Sequence, residues 1–282
     1  MNKKLSVMGY SFFTLLKEGR TNIYHFLEMV KNRYRVDAVD IWSGFIPEEQ
    51  VGEAFAKEIK KALDELELAV PNLCIDGPYT PWAPTAGGVA ANRGRMLEYI
   101  KFASIIGAKT IRVDFAQWGT GGAMPPGALE IIIEKYREYA EICHSLGMKI
   151  GPENHFGWDN TPKYIKAVKE GVCHPGFGHL FHFTNFSEEP ELGRELAMSY
   201  VMHTHVPPWT IMSGAAKDHM RELIKAGYDG YWGVEIGSDA HWFERASWHL
   251  ACIKIILAEL EEELEGGGKA IDFLGDMIKP RH

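Results

Sequence analysis

The sequence predicts a (β/α)8 barrel, the TIM-barrel architecture of the α/β class, built as a single domain. Three observations lead there. Short apolar runs alternate with amphipathic stretches along the whole 282 residues. Eight strand–helix units can be counted, and such repetition gives parallel strands joined by right-handed crossovers. No glycine-rich phosphate turn follows the first strand, where Gly9-Tyr10-Ser11-Phe12-Phe13 stands; an open doubly wound sheet ordinarily has one. Eight units close into a barrel, and about 250 residues is an ordinary length for it.

The elements follow in order. Lys4 to Tyr10 reads as the first strand. Thr21 caps a helix to about Tyr34, with Ile23, Phe26, Leu27 and Val30 at helical spacing. Val36 to Trp42 is the second strand, and Pro47 opens the next helix at the first-turn position where proline is favoured. Val70 to Ile75 is the third strand. The stretch Gly77 to Gly88, rich in proline and glycine, is loop. A helix from Asn92 to Ile106 leads to the fourth strand, Thr110 to Phe115. Pro125-Pro126 starts a helix that stops at Leu146-Gly147, before the fifth strand, Met148 to Glu153. A helix from Pro162 to Lys169, capped by Thr161, leads to the sixth strand, Gly178 to Phe183. The short helix Glu188 to Leu196 leads to the seventh, Ser199 to Val206. A helix from Ser213 to Ala226 leads to the eighth, Gly230 to Ile236. Ala240 to Leu264 closes the domain. The barrel thus covers 1–265, and Gly266-Gly267-Gly268 opens a tail over 266–282.

Composition narrows the function classes. Thirty Lys and Arg stand against 38 Asp and Glu, a formal charge of −8. That balance argues against nucleic-acid binding, which needs clustered cations. Cys74, Cys143, Cys173 and Cys252 are widely spaced and form no C-x-x-C, as expected of reduced thiols in a cytoplasmic protein. Lys3-Lys4 and the run to Leu16 contain Tyr10, Ser11 and Thr14 and no small-residue cleavage site, so they read as strand and loop, not a signal peptide. No apolar stretch is long enough to span a bilayer.

The candidate site lies on the last four strands. Glu153 follows the run Met148-Lys149-Ile150, His182 ends the sixth strand, His205 the seventh and Glu235 the eighth. Their separations are 29, 23 and 30 residues, close to the ~30 residues of one strand–helix unit. All four therefore fall at C-terminal strand ends, the face that carries barrel active sites. Two carboxylates and two imidazoles in one mouth can ligate a divalent cation. Gly151 and Gly233 share the parity of the two glutamates and leave room in the interior. Lys149, of the same parity, has to reach solvent at the far end.

Around this set, His155 is a candidate acid/base group and His203 a substrate-facing or supporting one. Trp42, Asp76, Asp114, Trp118, Trp158, Asn185 and Trp209 sit where they can line the mouth. Aromatic faces pack on the apolar faces of sugar rings, and carboxylates accept from hydroxyls. No basic cluster or glycine cradle for phosphate is present, so an unphosphorylated carbohydrate is expected.

Several stretches resemble one family. Gly151-Pro152-Glu153-Asn154-His155 is similar to the Glu-Asn motif after strand five of the xylose-isomerase-like barrels, which include sugar-phosphate isomerases and epimerases. Tyr200-Val201-Met202-His203-Thr204-His205 resembles their strand-seven histidine motif, and Gly227 to Glu235 their strand-eight glutamate motif. Gly107-Ala108-Lys109-Thr110-Ile111-Arg112-Val113 is similar to their fourth-strand pattern. The resemblance implies a divalent-metal-dependent isomerase or epimerase acting on a free sugar or keto-sugar. One glutamate removes a proton beside a carbonyl, an enediolate forms, and the other glutamate returns the proton on the opposite face. It also implies Glu153, His182, His205 and Glu235 as ligands.

Two departures carry consequences. The family usually has Asp where Phe181-His182-Phe183 places His182. Ile211 stands where family epimerases place an Arg. With two carboxylates in place of three, the site is less anionic and suits imidazole-tolerant ions: Mn²⁺ first, with Fe²⁺, Co²⁺ or Zn²⁺ as alternatives, over oxygen-preferring Mg²⁺. The same intermediate can expel a β-substituent, so a lyase or dehydratase on an oxidised sugar, polyol or glycoside is the second expected activity. A metal-holding inactive partner subunit is a third reading. A DNA-repair endonuclease, an activity also found on related barrels, is disfavoured by the acidic charge. Exposed loops and the long last helix offer a surface for a homo-oligomer or a partner subunit.

Overall fold

The computed structural model describes residues 3–183, 186, 188–237 and 240–266. The chain runs β1 (Leu5–Met8), α1 (Phe13–Lys17), α2 (Ile23–Glu28), β2 (Ala38–Trp42), α3 (Glu53–Glu65), β3 (Ala69–Ile75), α4 (Ala86–Ile106), β4 (Thr110–Val113) and α5 (Ala128–Ser145). It continues β5 (Lys149–Gly151), α6 (Pro162–Val172), β6 (His179–His182), α7 (Pro190–Met198), β7 (Val201–Val206), α8 (Pro208–Met212), α9 (Ala215–Lys225), β8 (Trp232–Val234) and α10 (Trp242–Gly266). The strands are parallel and ordered β5-β4-β3-β2-β1-β8-β7-β6. This is the expected (β/α)8 barrel. The tail, from residue 267 on, lies outside the described residues.

The main core lies between sheet and helices, and side chains such as Val7, Ile41, Ile111 and Phe181 alternate outward into it. A separate small cluster holds Met8, Cys74, Leu180 and Met202, with Tyr10 and Trp42 against it. Buried polar groups share this inner space: Ser6, Asp40, Asn72 and His203. Among the described residues, no helix is long and apolar enough to cross a membrane.

Several boundaries differ from the sequence expectation, each for a local reason. Asn22, not Thr21, caps α2: its side chain accepts from the His25 N–H at 3.0 Å. After Pro47 the chain makes only a 3-10 turn, Glu48–Gln50, and Gly52 then starts α3 from an extended conformation. Thr85 accepts from the Gly88 N–H, so α4 begins inside the stretch expected to be loop. Thr161 precedes α6 but makes no side-chain cap. The helix expected over 213–226 is α9, which starts after Gly214 with φ +82°, and the short α8 that precedes it was not expected.

The barrel closes at its weakest ladder. Between β5 and β6 there are two isolated parallel bridges, Ile150↔Phe177 and Glu153↔Leu180. Asn154 clasps the seam from the side: its Nδ2 donates to the His182 carbonyl at 2.7 Å, and its Oδ1 accepts from the His182 N–H at 2.9 Å. Gly151 belongs to the same seam, because a Cβ there would lie 1.8 Å from the Gly178 carbonyl oxygen. The room expected beneath Glu153 is therefore needed between two backbones. Lys149 is exposed, as its parity requires.

Gly151→Ala forces the two strands apart and should destabilise the fold by about 1–3 kcal/mol, the cost of overpacking. Gly94 sits exposed in α4 with nothing within 4 Å of an added Cβ. Gly94→Ala should stabilise by up to ~1 kcal/mol. Urea unfolding midpoints of the two variants, moving in opposite directions, check both.

Candidate metal centre and substrate cavity

Strand register brings the site together. His182 of β6 pairs with His205 of β7, and His205 with Gly233 of β8. The two imidazoles are therefore level, and Glu235 emerges just above them. Glu153 arrives from the other side of the seam, its N–H donating to Asp114 Oδ1 at 2.9 Å. Ligand atoms of Glu153, His182 and Glu235 lie within 4.8 Å of one another. His205 Nδ1 lies 3.0 Å from Glu235 Oε2 and 3.5 Å from Glu153 Oε1. The four groups singled out in the sequence thus occupy one place.

The donor set fits a divalent cation. Atoms held ~2.0–2.2 Å from one ion stand on the order of 3–4 Å apart, the scale of these contacts. Two of the atoms, 3.0 Å apart, face each other without forming a hydrogen bond. Glu235 Oε2 and His205 Nδ1 are buried and have no hydrogen-bond partner among the described residues. Buried polar atoms are rarely left so without a function. Burial works against the charge on Glu153, yet His155, His205 and Arg112 hold its carboxyl well below the usual carboxylate range. Burial likewise opposes ionisation of Glu235, and His205 outweighs it. Glu235 and Glu153 raise His205 far above an ordinary imidazole despite its burial. At His182 burial wins and lowers the pKa.

Arg112 was not singled out as a site residue, yet it organises the mouth. It is 2% exposed. Its Nη1 meets Asp76 Oδ1 at 2.5 Å and Asp114 Oδ2 at 3.2 Å, and its Nε lies 3.2 Å from Glu153 Oε2. Asp114 Oδ2 also lies 2.9 Å from His155 Nδ1. A lone arginine in the buried strand Thr110-Ile111-Arg112-Val113 was the available signal. Asp40, equally buried in Val39-Asp40-Ile41, is a second such residue.

A cavity of ≈ 560 Å³ opens above these groups. Glu235, Arg112, Asp76, Asp114 and His155 form its polar wall, and Tyr10, Tyr79, Trp118 and Phe156 its aromatic one. Trp118 is 85% exposed at the rim. Of the expected lining residues, Asp76, Asp114 and Trp118 are there. Trp42 stands behind the wall, with its indole N–H donating to Asp76 Oδ2 at 2.6 Å. Trp158 is buried against Trp82 and donates to the Gly122 carbonyl. Trp209 packs beside His182. His203 does not line the cavity; it is buried, with Nε2 2.8 Å from Asp40 Oδ2. Asn185 lies outside the described residues.

A family model described as xylose isomerase-like TIM barrel matches residues 33–256. The chain belongs to that family. Among solved structures, this xylose isomerase-like barrel is similar to an L-ribulose 3-epimerase, with a TM-score of 0.72 and 14% identity over 95% of this chain and 98% of that one. It is also similar to 3-keto-D-glucoside 4-epimerase from E. coli, with a TM-score of 0.69 and 15% identity over 90% and 99%. A xylose isomerase-like protein from Mycobacterium smegmatis, in complex with magnesium, gives 0.67 and 15% over 90% and 98%. At these identities the likeness is one of fold. No curated protein matches the chain significantly in sequence.

Arg112 is the buried counter-charge for three carboxylates. Arg112→Met, which keeps the length and removes the charge, should cost about 3–5 kcal/mol, as breaking a buried ion-pair cluster does. A denaturant titration showing no loss would mean that the carboxylates are neutral or hydrated.

Proposed function

We propose that the barrel mouth is the active site of a divalent-metal-dependent epimerase or isomerase of a free sugar or keto-sugar. One observation carries the reading: two carboxylates from opposite sides of the mouth, Glu153 and Glu235, converge with His182 and His205 beneath a cavity walled by aromatic rings and acids. Neighbours of the same fold named as sugar epimerases support it.

Glu153, His182, His205 and Glu235 would hold the cation, which supplies Lewis acidity at a substrate carbonyl and offsets negative charge on its oxygen. The chain's own groups do the rest. Glu235 reaches the cavity and is ionised, so it takes the proton from the carbon beside the carbonyl, giving an enediolate. Glu153 returns a proton on the opposite face after taking one up from solvent, and Glu235 releases the proton it took, so that each turnover leaves both carboxylates as they began. His155 faces the cavity and is held by Asp114 Oδ2. Burial alone would discharge it, but Glu153 and Asp114 raise its pKa, so it can give a proton to a substrate oxygen near neutral pH. Asp76 and Asp114 accept from sugar hydroxyls, and Trp118, Phe156 and Tyr79 cover an apolar ring face. Asn185, outside the described residues, keeps its place as a substrate-binding candidate, whereas His203, buried against Asp40, stands behind the site and does not meet the substrate. Imidazole-rich ligation favours Mn²⁺ over Mg²⁺.

A second reading has its own observation. Allowing each of a hexose's roughly dozen heavy atoms the ~30 Å³ of a liquid water, one ring fills at most about 360 Å³. The cavity is larger and has room for a substituent on the sugar. With His182 in place of the usual Asp and Ile211 in place of the Arg, the same proton abstraction could end in loss of a β-substituent, giving a lyase on a keto-glycoside.

Incubation with Mn²⁺ and keto-sugars in D₂O separates the readings. The first expects solvent deuterium beside the carbonyl together with a new epimer. Water or aglycone release without an epimer would establish the second. Glu153→Gln and Glu235→Gln should each lower turnover by about 10²–10⁴-fold, and a variant at full rate removes that residue from the mechanism. Metal analysis that finds only Mg²⁺ would overturn the ligand-type argument.

A further inference from the structure

His205 is placed between two sets of carboxylates. Its Nδ1 faces Glu235 and Glu153, as described above. Its Nε2 points the other way, down the barrel, and lies 3.7 Å from Asp40 Oδ2. Asp40 and His205 are both fully buried. His205 Nε2 and Asp40 Oδ1 have no hydrogen-bond partner among the described residues. An unpaired imidazole nitrogen in a dry space is costly unless a neighbouring acceptor serves it, and the carboxylate of Asp40 is the acceptor that Nε2 faces. The fold also keeps the space between them clear. A Cβ on Gly233 would stand 2.8 Å from His205 Cδ2 and 2.9 Å from Asp40 Oδ2.

Asp40 is itself fixed in position. Ser6 Oγ donates to its Oδ2 at 2.8 Å, and His203 Nε2 stands at the same distance. A carboxylate only accepts, so the imidazole nitrogens facing it must carry protons. This sets the orientation of His205.

We infer that Asp40 is a positioning residue for the metal centre: its carboxylate faces Nε2 of His205 at 3.7 Å, keeps the ring proton there and so presents bare Nδ1 to the cation. The inference rests on the metal site proposed above and adds a second layer to it, with Ser6 and His203 anchoring Asp40. Carboxylate support behind a ligating histidine fixes the tautomer and raises the basicity of the donor. It also gives His203 and Asp40, which lie below the cavity, a part in a site that they do not line.

Zinc is the probe, because its complexes are diamagnetic. In zinc-loaded wild-type protein, long-range ¹H–¹⁵N spectra should show one metal per chain, His205 metallated through Nδ1 and its proton on Nε2. By calorimetry, Asp40→Asn, which keeps shape but can turn a donor toward Nε2, should bind zinc about 10–100-fold more weakly. Metallation through Nε2 overturns the proposal. So does a second zinc held by Asp40, His203 and His205, or a folded Asp40→Asn protein that binds as tightly as wild type. If that variant does not fold, the wild-type ring spectrum decides alone. Wild-type protein that binds no zinc, manganese or cobalt removes the metal centre itself, and this inference with it. Intact metal binding with an unaffected Asp40→Asn variant removes only the role of Asp40.

Discussion

Charge balance in a buried space governs this barrel. Asp40, Asp76, Asp114, Glu153 and Glu235 meet around one end of the sheet, and the guanidinium of Arg112 is the permanent cation placed among them. Carboxylates taken out of water repel one another and lose hydration. Each is held here by a guanidinium, an imidazole or a backbone N–H. The imidazoles of His155, His203 and His205 supply that contact where Arg112 does not reach. Such an arrangement is tuned to accept a further positive charge, which is the property a cation site needs.

Much of this was legible in the chain. Glu153, His182, His205 and Glu235 stood out because barrel geometry repeats about every 30 residues and puts like positions at one rim. The strands were legible for the same reason, since apolar runs in a parallel sheet are continuous. What escaped was decided by contacts far apart in sequence. Arg112 and Asp40 each interrupt an apolar strand by one residue, and nothing local says whether such a residue points to solvent or into the barrel. Trp42 and Trp158 look equivalent to Trp118 in a sequence; only packing shows that the first two are structural and the third lies on the rim. Helix starts shifted because competing caps stand side by side, as with Thr21 and Asn22.

The interior divides into a floor and a rim. Ser6, Asp40, Asn72 and His203 make a polar floor, unlike the apolar layers that commonly fill barrels of this type. Ser6, Asp40 and His203 are joined by hydrogen bonds, and Asn72 accepts from Thr110 at 2.7 Å and contacts Cys74, so the floor holds two small connected networks. A connected network is stiff, because moving one member leaves others unpaired. Stiffness beneath the rim helps to hold several side chains at fixed separations.

The seam between β5 and β6 gives the architecture a further meaning. Glu153 stands on one side of that gap and His182 on the other, where the ladder is reduced to two bridges and the clasp of Asn154. Ions ligated by both would act as a hoop on a cask, drawing the first and last staves of the sheet together. The candidate centre thus sits at the fold's point of least mechanical strength, and its occupancy would be a measure of how firmly the cylinder is shut.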